Sequence, residues 1–241
     1  IISELQEIVK KYDSGRKSEI LYEVEEAEED SEPEVEDYPV TMFISLGGYA
    51  KKIKTANLRM SGEQKVKEGD RIISEIECSN KDELLVFTNF HQVYKAKIDD
   101  FADTKASVMG DYLPSRLSMD EGEEVVYVAV IREYTGYMLF IFENGKLAKV
   151  DVSSYQTKTN RKKLINAYSD KSPLVSAMYT EVDKDIVLCA SNGRKLLVNT
   201  AVVMFKTTKN TQGIQAMTLK KKNDKVESVH DYKEGEFEKE W

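Results

Sequence analysis

Apolar positions along this chain change period near residue 38, and the change predicts two kinds of structure. In the first twelve residues Ile1, Leu5, Ile8 and Tyr12 recur at spacings of four, three and four. That is the stripe of an amphipathic helix, which Ser14-Gly15 should stop. Beyond residue 38 the apolar residues come in short runs bounded by turn residues, as strands do. Four runs are alike: Thr41-Met-Phe-Ile-Ser45 leads into Gly47-Gly48, Leu84-Leu-Val-Phe-Thr88 into Asn89, Met138-Leu-Phe-Ile-Phe142 into Asn144-Gly145, and Ile186-Val-Leu-Cys-Ala190 into Asn192-Gly193. With Ile44, Phe87, Ile141 and Cys189 taken as equivalent, the copies stand 43, 54 and 48 residues apart. A repeat of that length predicts a propeller-like or solenoid array, in which each unit needs a neighbour to cover its apolar face.

Asn-Gly at 144–145 and 192–193 is a strong hairpin signal, because a type I′ turn needs positive φ at both central residues. The second copy has Asn89-Phe90-His91 where glycine is expected, so its turn should be longer or strained. Continuous apolarity in Leu84–Phe87 and Met138–Phe142 predicts strands covered on both faces. After a basic connector, each copy should add a second β pair, with Arg71–Ile76, Val125–Ile131, Leu174–Met178 and Ile214–Leu219 in that slot.

Length and composition narrow the class. At 241 residues and 41% apolar, the chain can bury the core of one large β domain or two smaller ones. No apolar run is long enough to span a bilayer and no signal-peptide pattern opens the chain, so no membrane partner is expected. Cys78 and Cys189 sit in different copies, which suggests buried thiols in a reducing cytoplasm rather than a disulfide framework. The first residue is Ile, the expectation for a piece of a longer polypeptide.

The net charge of −8 is unevenly spread. Residues 1–37 hold 14 acids against 4 bases, residues 231–241 hold 5 against 2, and the body between them holds 24 against 29. Glu23 to Asp37 carries ten acids and no base, a density that extends a chain and predicts a linker. A cationic body between acidic ends is the balance expected of a protein that meets a polyanion, since the field acts locally.

Enzyme chemistry is not legible. His91 and His230 are the only histidines and neither has metal-ligand spacing to cysteine or carboxylate. No phosphate-cradling glycine loop is present. Asp99-Asp100 and Glu123-Glu124 are sequence neighbours, which in a strand point to opposite faces. No catalytic residue, metal or cofactor is therefore expected in this segment. The bases are more informative. Lys51, Lys52 and Lys54, Lys95 and Lys97, Lys149, and Arg194 and Lys195 follow the hairpin turns; Arg161, Lys162, Lys163, Lys206 and Lys209 lie in the connectors. Two readings stand on the residues alone. A ring would align such positions as a band that neutralises phosphates, or the bases could simply keep β edges soluble and unpaired.

Several stretches resemble one family. Gly47-Gly-Tyr-Ala-Lys-Lys-Ile-Lys54 is similar to the Gly-Tyr-x-Lys-Arg strand that opens the C-terminal domain of the A subunits of DNA gyrase and topoisomerase IV. Lys206 to Leu219, with its Thr-Gln-Gly-Ile, resembles the blade-end pattern of that domain, and Leu84 to Lys95 resembles its hairpin. Glu4 to Ile20 looks like the end of the breakage–reunion core. The resemblance implies an all-β, propeller-like β-pinwheel of repeated four-stranded antiparallel blades, preceded by a short N-terminal helix and an acidic linker. It divides the chain into a helical core end (1–20), the linker (21–37), the pinwheel (38–232) and an acidic tail (233–241). It implies DNA bent around a basic rim to present it to the cleavage core, with Lys51, Lys52, Lys95, Lys149, Arg194 and Lys195 as hairpin contacts and Lys206, Lys209 and the Arg161–Lys163 run as connector contacts. It also implies as partners double-stranded DNA, and an ATPase B subunit joined with the rest of the A subunit in an A2B2 assembly, with ATP and Mg2+ used outside this segment. Met60 to Gly69 lacks the Arg-Arg-Gly-Gly core of the gyrase box; this and the four copies favour a topoisomerase IV-like or degenerate gyrase origin. The alternative is a propeller-like protein-interaction module without DNA wrapping. The acidic linker or tail would compete with DNA for the rim, or would serve only as a soluble spacer.

Overall fold

The computed structural model describes residues 2–12, 36–58, 62–157, 162–221 and 223–237, in two separate units that divide between residues 35 and 36. The first unit contains helix α1 (Ile2–Tyr12), with Glu4 in its first turn and Lys10 and Lys11 in its last, the charge placement that suits a helix dipole. Its predicted stripe residues Leu5, Ile8 and Tyr12 share one face and are exposed. The predicted helix stop and most of the acidic linker lie outside the described residues.

The second unit is built from the four hairpins. Along the chain, β1 (Pro39–Ser45) and β2 (Tyr49–Lys54) form the first, and α2 (Thr55–Leu58) and a connector lead to β3 (Ile72–Ser79). Next come β4 (Glu83–Thr88) and β5 (Val93–Lys97), β6 (Asp111–Tyr112), α3 (Leu113–Arg116) and β7 (Val125–Ile131). The third copy runs β8 (Tyr137–Phe142), β9 (Lys146–Asp151), β10 (Lys163–Leu164) and β11 (Leu174–Thr180). The fourth runs β12 (Asp185–Ala190), β13 (Lys195–Asn199), β14 (Ile214–Gln215) and β15 (Val226–Asp231). The positions taken as equivalent hold the same place in every register: Ile44 pairs with Ala50, Phe87 with Val93, Ile141 with Leu147 and Cys189 with Lys195. The glycine-poor second turn is no longer than the others; His91 takes the place of Gly48, Gly145 and Gly193 and adopts φ 58°, a left-handed conformation that costs a non-glycine residue energy.

Strand order gives the architecture. The four sheets read β3-β1-β2-β6, β10-β5-β4-β7, β11-β8-β9-β14 and β13-β12-β15. In each, the strand that ends a copy pairs with the first strand of its own hairpin, and in the first three sheets the outer strand on the far side comes from the connector of the next copy. Neighbouring blades thus exchange strands, a four-bladed pinwheel of antiparallel sheets. One expectation needs correction. Ile214–Leu219 does not complete the fourth blade; its first two residues are the outer strand of the third, and Val226–Asp231 takes the predicted slot. Alternating apolar residues mark a strand but not which sheet receives it. Gly213 decides the matter: at φ +73° its Cα lies so near β9 that a Cβ would meet the Leu147 carbonyl oxygen at 2.1 Å. Gly110, before β6, makes the same approach to Ala50 at 2.4 Å.

The core lies between blades. Val40, Met42 and Ile44 meet Leu84, Val86 and Tyr94; Leu85, Phe87 and Val93 meet Met138, Phe140 and Phe142; Leu139, Ile141 and Leu147 meet Ile186, Leu188 and Ala190. Both faces of each middle strand are therefore covered, as their unbroken apolarity predicts. Phe87 is fully buried, with the rings of Phe140 and Tyr155 edge-on at 5.6 and 5.4 Å, an arrangement worth about 1 kcal/mol beyond the area it buries. The outward face of the fourth blade differs. Cys189 and Lys195 replace the apolar pairs of the other hairpins, and Glu236 reaches back to Lys195 at 3.2 Å and His230 at 2.8 Å. At the other end of the unit, Asp37 accepts a hydrogen bond from Ser79 and the Glu36 carbonyl one from Asn80.

Candidate functional site

The recurring lysines separate into two groups. Lys52, Lys95 and Lys149 occupy equivalent places, facing Met42, Leu85 and Leu139 across their hairpins. Each points into the junction with the next blade. Lys52 is 2% exposed, and its Nζ donates to Asn80 Oδ1 at 2.8 Å and pairs with Asp103 at 3.2 Å. Lys149 is 4% exposed, pairs with Asp183 at 2.6 Å and donates to the Thr200 carbonyl. Lys95 pairs with Glu83 at 3.4 Å and donates to Thr157. Each ammonium also lies over a tyrosine ring, Tyr38, Tyr134 or Tyr137, at 4.3–5.8 Å. Asp103, Thr157 and Thr200 all belong to the following copy, so the lysine ties one blade to the next. The fourth hairpin, which no further copy follows among the described residues, has Leu197 in this place.

This removes Lys51, Lys52 and Lys149 from the expected DNA contacts, because phosphate cannot reach them. Lys51 faces the other side of its sheet, donates to the carbonyls of Lys65 and Ala106, and burial lowers its pKa below the usual lysine value. Their recurrence is real, but its cause is internal: a buried charge is tolerated only when paired and hydrogen-bonded. Around Asp103, burial raises the carboxyl pKa, yet hydrogen bonds from Lys52, Tyr38 and Lys54 hold it below the usual range.

The connector bases fall on the surface. Each connector runs along the outer strand of the preceding hairpin: Thr104 N donates to the Lys52 carbonyl, Lys95 N to that of Lys162, and Lys206 N to that of Lys149. The outer edges of the first three blades therefore carry Lys105, Lys162 and Lys206, all exposed and without an ion-pair partner among the described residues. The fourth blade has no such cover among the described residues, and its hairpin presents exposed Arg194 and Lys195. Lys54 pairs with Asp103 at 3.3 Å, and Lys163 pairs with Asp120 at 2.7 Å, a hydrogen bond that raises its pKa. Lys97 is exposed, Lys209 half-buried, and Arg161 lies outside the described residues. Lys105 is likewise one of the connector bases that the sequence offers. Its place beside Thr104 becomes visible only when Thr104 N and Lys206 N are seen to donate to the carbonyls of Lys52 and Lys149, equivalent residues of the first and third hairpins.

The groups that could carry chemistry have structural tasks. His91 packs on Tyr168 at 4.7 Å, and His230 bonds Glu236. Glu123 is buried where it accepts from Thr88 and Tyr94, closing the second hairpin. Burial pushes the Cys78 thiol up to about 12, so it is not a nucleophile at neutral pH. Among the described residues no His, Cys, Asp and Glu side chains group as metal ligands, and no helix is long and apolar enough to cross a membrane.

Comparison with known proteins places this geometry. The family described as DNA gyrase C-terminal domain, beta-propeller, matches residues 82–132 and 185–230. The A subunit of topoisomerase 4 from Staphylococcus epidermidis is 29% identical over 225 residues, which cover 91% of this chain; that from Staphylococcus aureus is 28% identical. The chain spans 28% of the length of these relatives. Its backbone superposes on a crystal structure of the C-terminal domain of DNA topoisomerase IV with a TM-score of 0.70 at 22% identity, covering 83% of this chain and 62% of the other. For a structure of the DNA gyrase A C-terminal domain the score is 0.52 at 17% identity, covering 79% and 64%. These superpositions speak to the fold.

Proposed function

This chain is a C-terminal β-pinwheel domain of the family formed by the A subunits of DNA gyrase and topoisomerase IV, on the topoisomerase IV-like side, and from that premise we propose that it binds duplex DNA along the outer edges of its blades and bends it. The observation that carries the reading is one exposed base per blade: Lys105, Lys162 and Lys206 on the connectors that run along the first three hairpins, and Arg194 after the fourth hairpin's turn. Such a set contacts phosphates on successive turns and carries no base-reading geometry, so binding is indifferent to sequence. Bending 20–30 base pairs costs on the order of 1–6 kcal/mol, which contacts spread over all four blades offset together. In the parent protein the domain serves strand passage by presenting DNA to a cleavage core supplied by the rest of the A subunit, with a B subunit using ATP and Mg2+. The acidic tail moderates the contact, since Glu236 already neutralises Lys195.

The test is fluorescence anisotropy of a labelled 30-base-pair duplex across a salt series. Four phosphate contacts give a slope of about −4 in log affinity against log salt, roughly a hundredfold loss between 50 and 200 mM. A flat response, or no binding at 50 mM, overturns the reading. One feature favours a protein-interaction role instead. Val202, Met204 and Phe205 lie exposed at 70, 72 and 44% on the last connector, more apolar surface than a DNA-binding edge needs.

A further inference from the structure

The fourth hairpin turn is bare where others are covered. In the third blade a Cβ on Gly145 would meet the Met217 carbonyl at 2.1 Å, and the Gly145 carbonyl accepts from both Ala216 and Met217. In the first blade Gly48 faces Pro114 at 3.6 Å, and its carbonyl accepts from Leu113. Both covers come from the next copy. A Cβ on Gly193 would meet nothing within 4 Å among the described residues. The space left open is a cleft of about 600 Å³ between the turn and residues 218–224, lined by Asn192, Gly193, Arg194, Thr218, Lys220 and Lys221, with Asp224 at its side.

The cleft is organised as well as open. Arg194 is held at both ends, its backbone N–H donating to Asn192 Oδ1 at 3.0 Å and its guanidinium to the Thr218 carbonyl at 3.1 Å. One of five guanidinium donors is used, which leaves the rest of a planar fork suited to phosphate. The single acid is engaged: Asp224 Oδ2 accepts from Asn192 Nδ2 at 2.9 Å and from the Lys221 backbone N–H at 3.2 Å. Arg194, Lys220 and Lys221 have no ion-pair partner among the described residues. A concave wall with three cations focuses the field more strongly than single bases on convex edges.

We propose that this cleft is a phosphate-binding site whose ligand is the phosphodiester backbone of duplex DNA, so that the fourth blade holds the duplex more tightly than the other three. The inference rests on the DNA-binding reading and adds to it an uneven distribution of grip. It is tested on the whole chain with the same labelled duplex. Lys220→Ala/Lys221→Ala should reduce the salt slope by about 2, while Arg194→Lys should weaken binding at every salt concentration and leave the slope unchanged, because charge is kept and the fork is lost. The control is Lys81→Ala/Lys171→Ala, two exposed lysines elsewhere, expected to change the slope by under half as much. Lys220→Glu/Lys221→Glu, with an unaltered circular dichroism melt, should weaken binding further than the alanine pair. If the cleft and control pairs have equal effects while the parent chain binds duplex, the cleft assignment fails and the DNA reading stands. If the parent chain shows no salt-dependent binding, both fall. Sodium tripolyphosphate binding as tightly per phosphate as duplex would move the site to free polyphosphates and overturn the assignment to DNA.

Discussion

Lys52 shows how a single side chain can mislead and instruct together. Its ammonium lies in a dry junction, where Asn80, Asp103 and the Tyr38 ring replace water. Lys52→Met keeps the volume and strands Asp103 and Asn80, which should cost about 2–3 kcal/mol of stability in urea unfolding and leave the DNA salt slope unaltered. A drop in slope would return this lysine to the interface. The same site sets an acid limit. Because the folded Asp103 carboxyl sits below its unfolded value, its contribution is present above the ordinary carboxylate range and lost as pH falls through it. Stability should therefore decline below about pH 4, and less steeply in Lys52→Met. The sequence displayed the recurrence of Lys52, Lys95 and Lys149 but not its cause. Their partners Asp103, Glu83 and Asp183 stand at unrelated distances along the chain; Glu83 shares the hairpin of Lys95, while Asp103 and Asp183 arrive only through the next copy.

At the level of elements, the hairpins were legible because turn chemistry and strand length are local. Asn144-Gly145 and Asn192-Gly193 announce their turns, although only the glycines take positive φ, so these are not the type I′ turns expected, and the fully apolar strands announce cover on both faces. The short outer strands were not legible. Two paired residues carry too little pattern, and what makes β14 an outer strand is the absence of a side chain at Gly213. Gly213→Ala should detach it: the positive φ costs of order 1–3 kcal/mol, and the clash with Leu147 adds to that. Hydrogen exchange at Ile214–Ala216 should accelerate while that of β12 stays slow; equal acceleration would mean that the strand is integral to the fourth blade. The tail offers a companion test. Glu236→Gln frees Lys195, so the salt slope for duplex should steepen by up to about 1; an unchanged slope removes the tail from the interface.

Considered whole, the molecule is a relay of four sheets whose apolar seams lie between blades. Every residue of these seams lies in the second unit. A fragment beginning at Glu36 should therefore melt within about 2 °C of the full chain, and a larger drop would show that the helical unit contributes to the body. Charge is also arranged at this scale: the body's excess of bases was readable from composition, but which of them are exposed was not, since it depends on which connector borders which blade.

Lending a strand backwards has a consequence for synthesis. The first sheet is finished only when Tyr112 is available, the second at Leu164 and the third at Gln215. During translation every blade except the last waits, with an open flank, for part of its successor to leave the ribosome. Assembly of this protein is thus paced from front to back, and a ribosome that stalls midway strands an unfinished sheet rather than a shorter but complete fold.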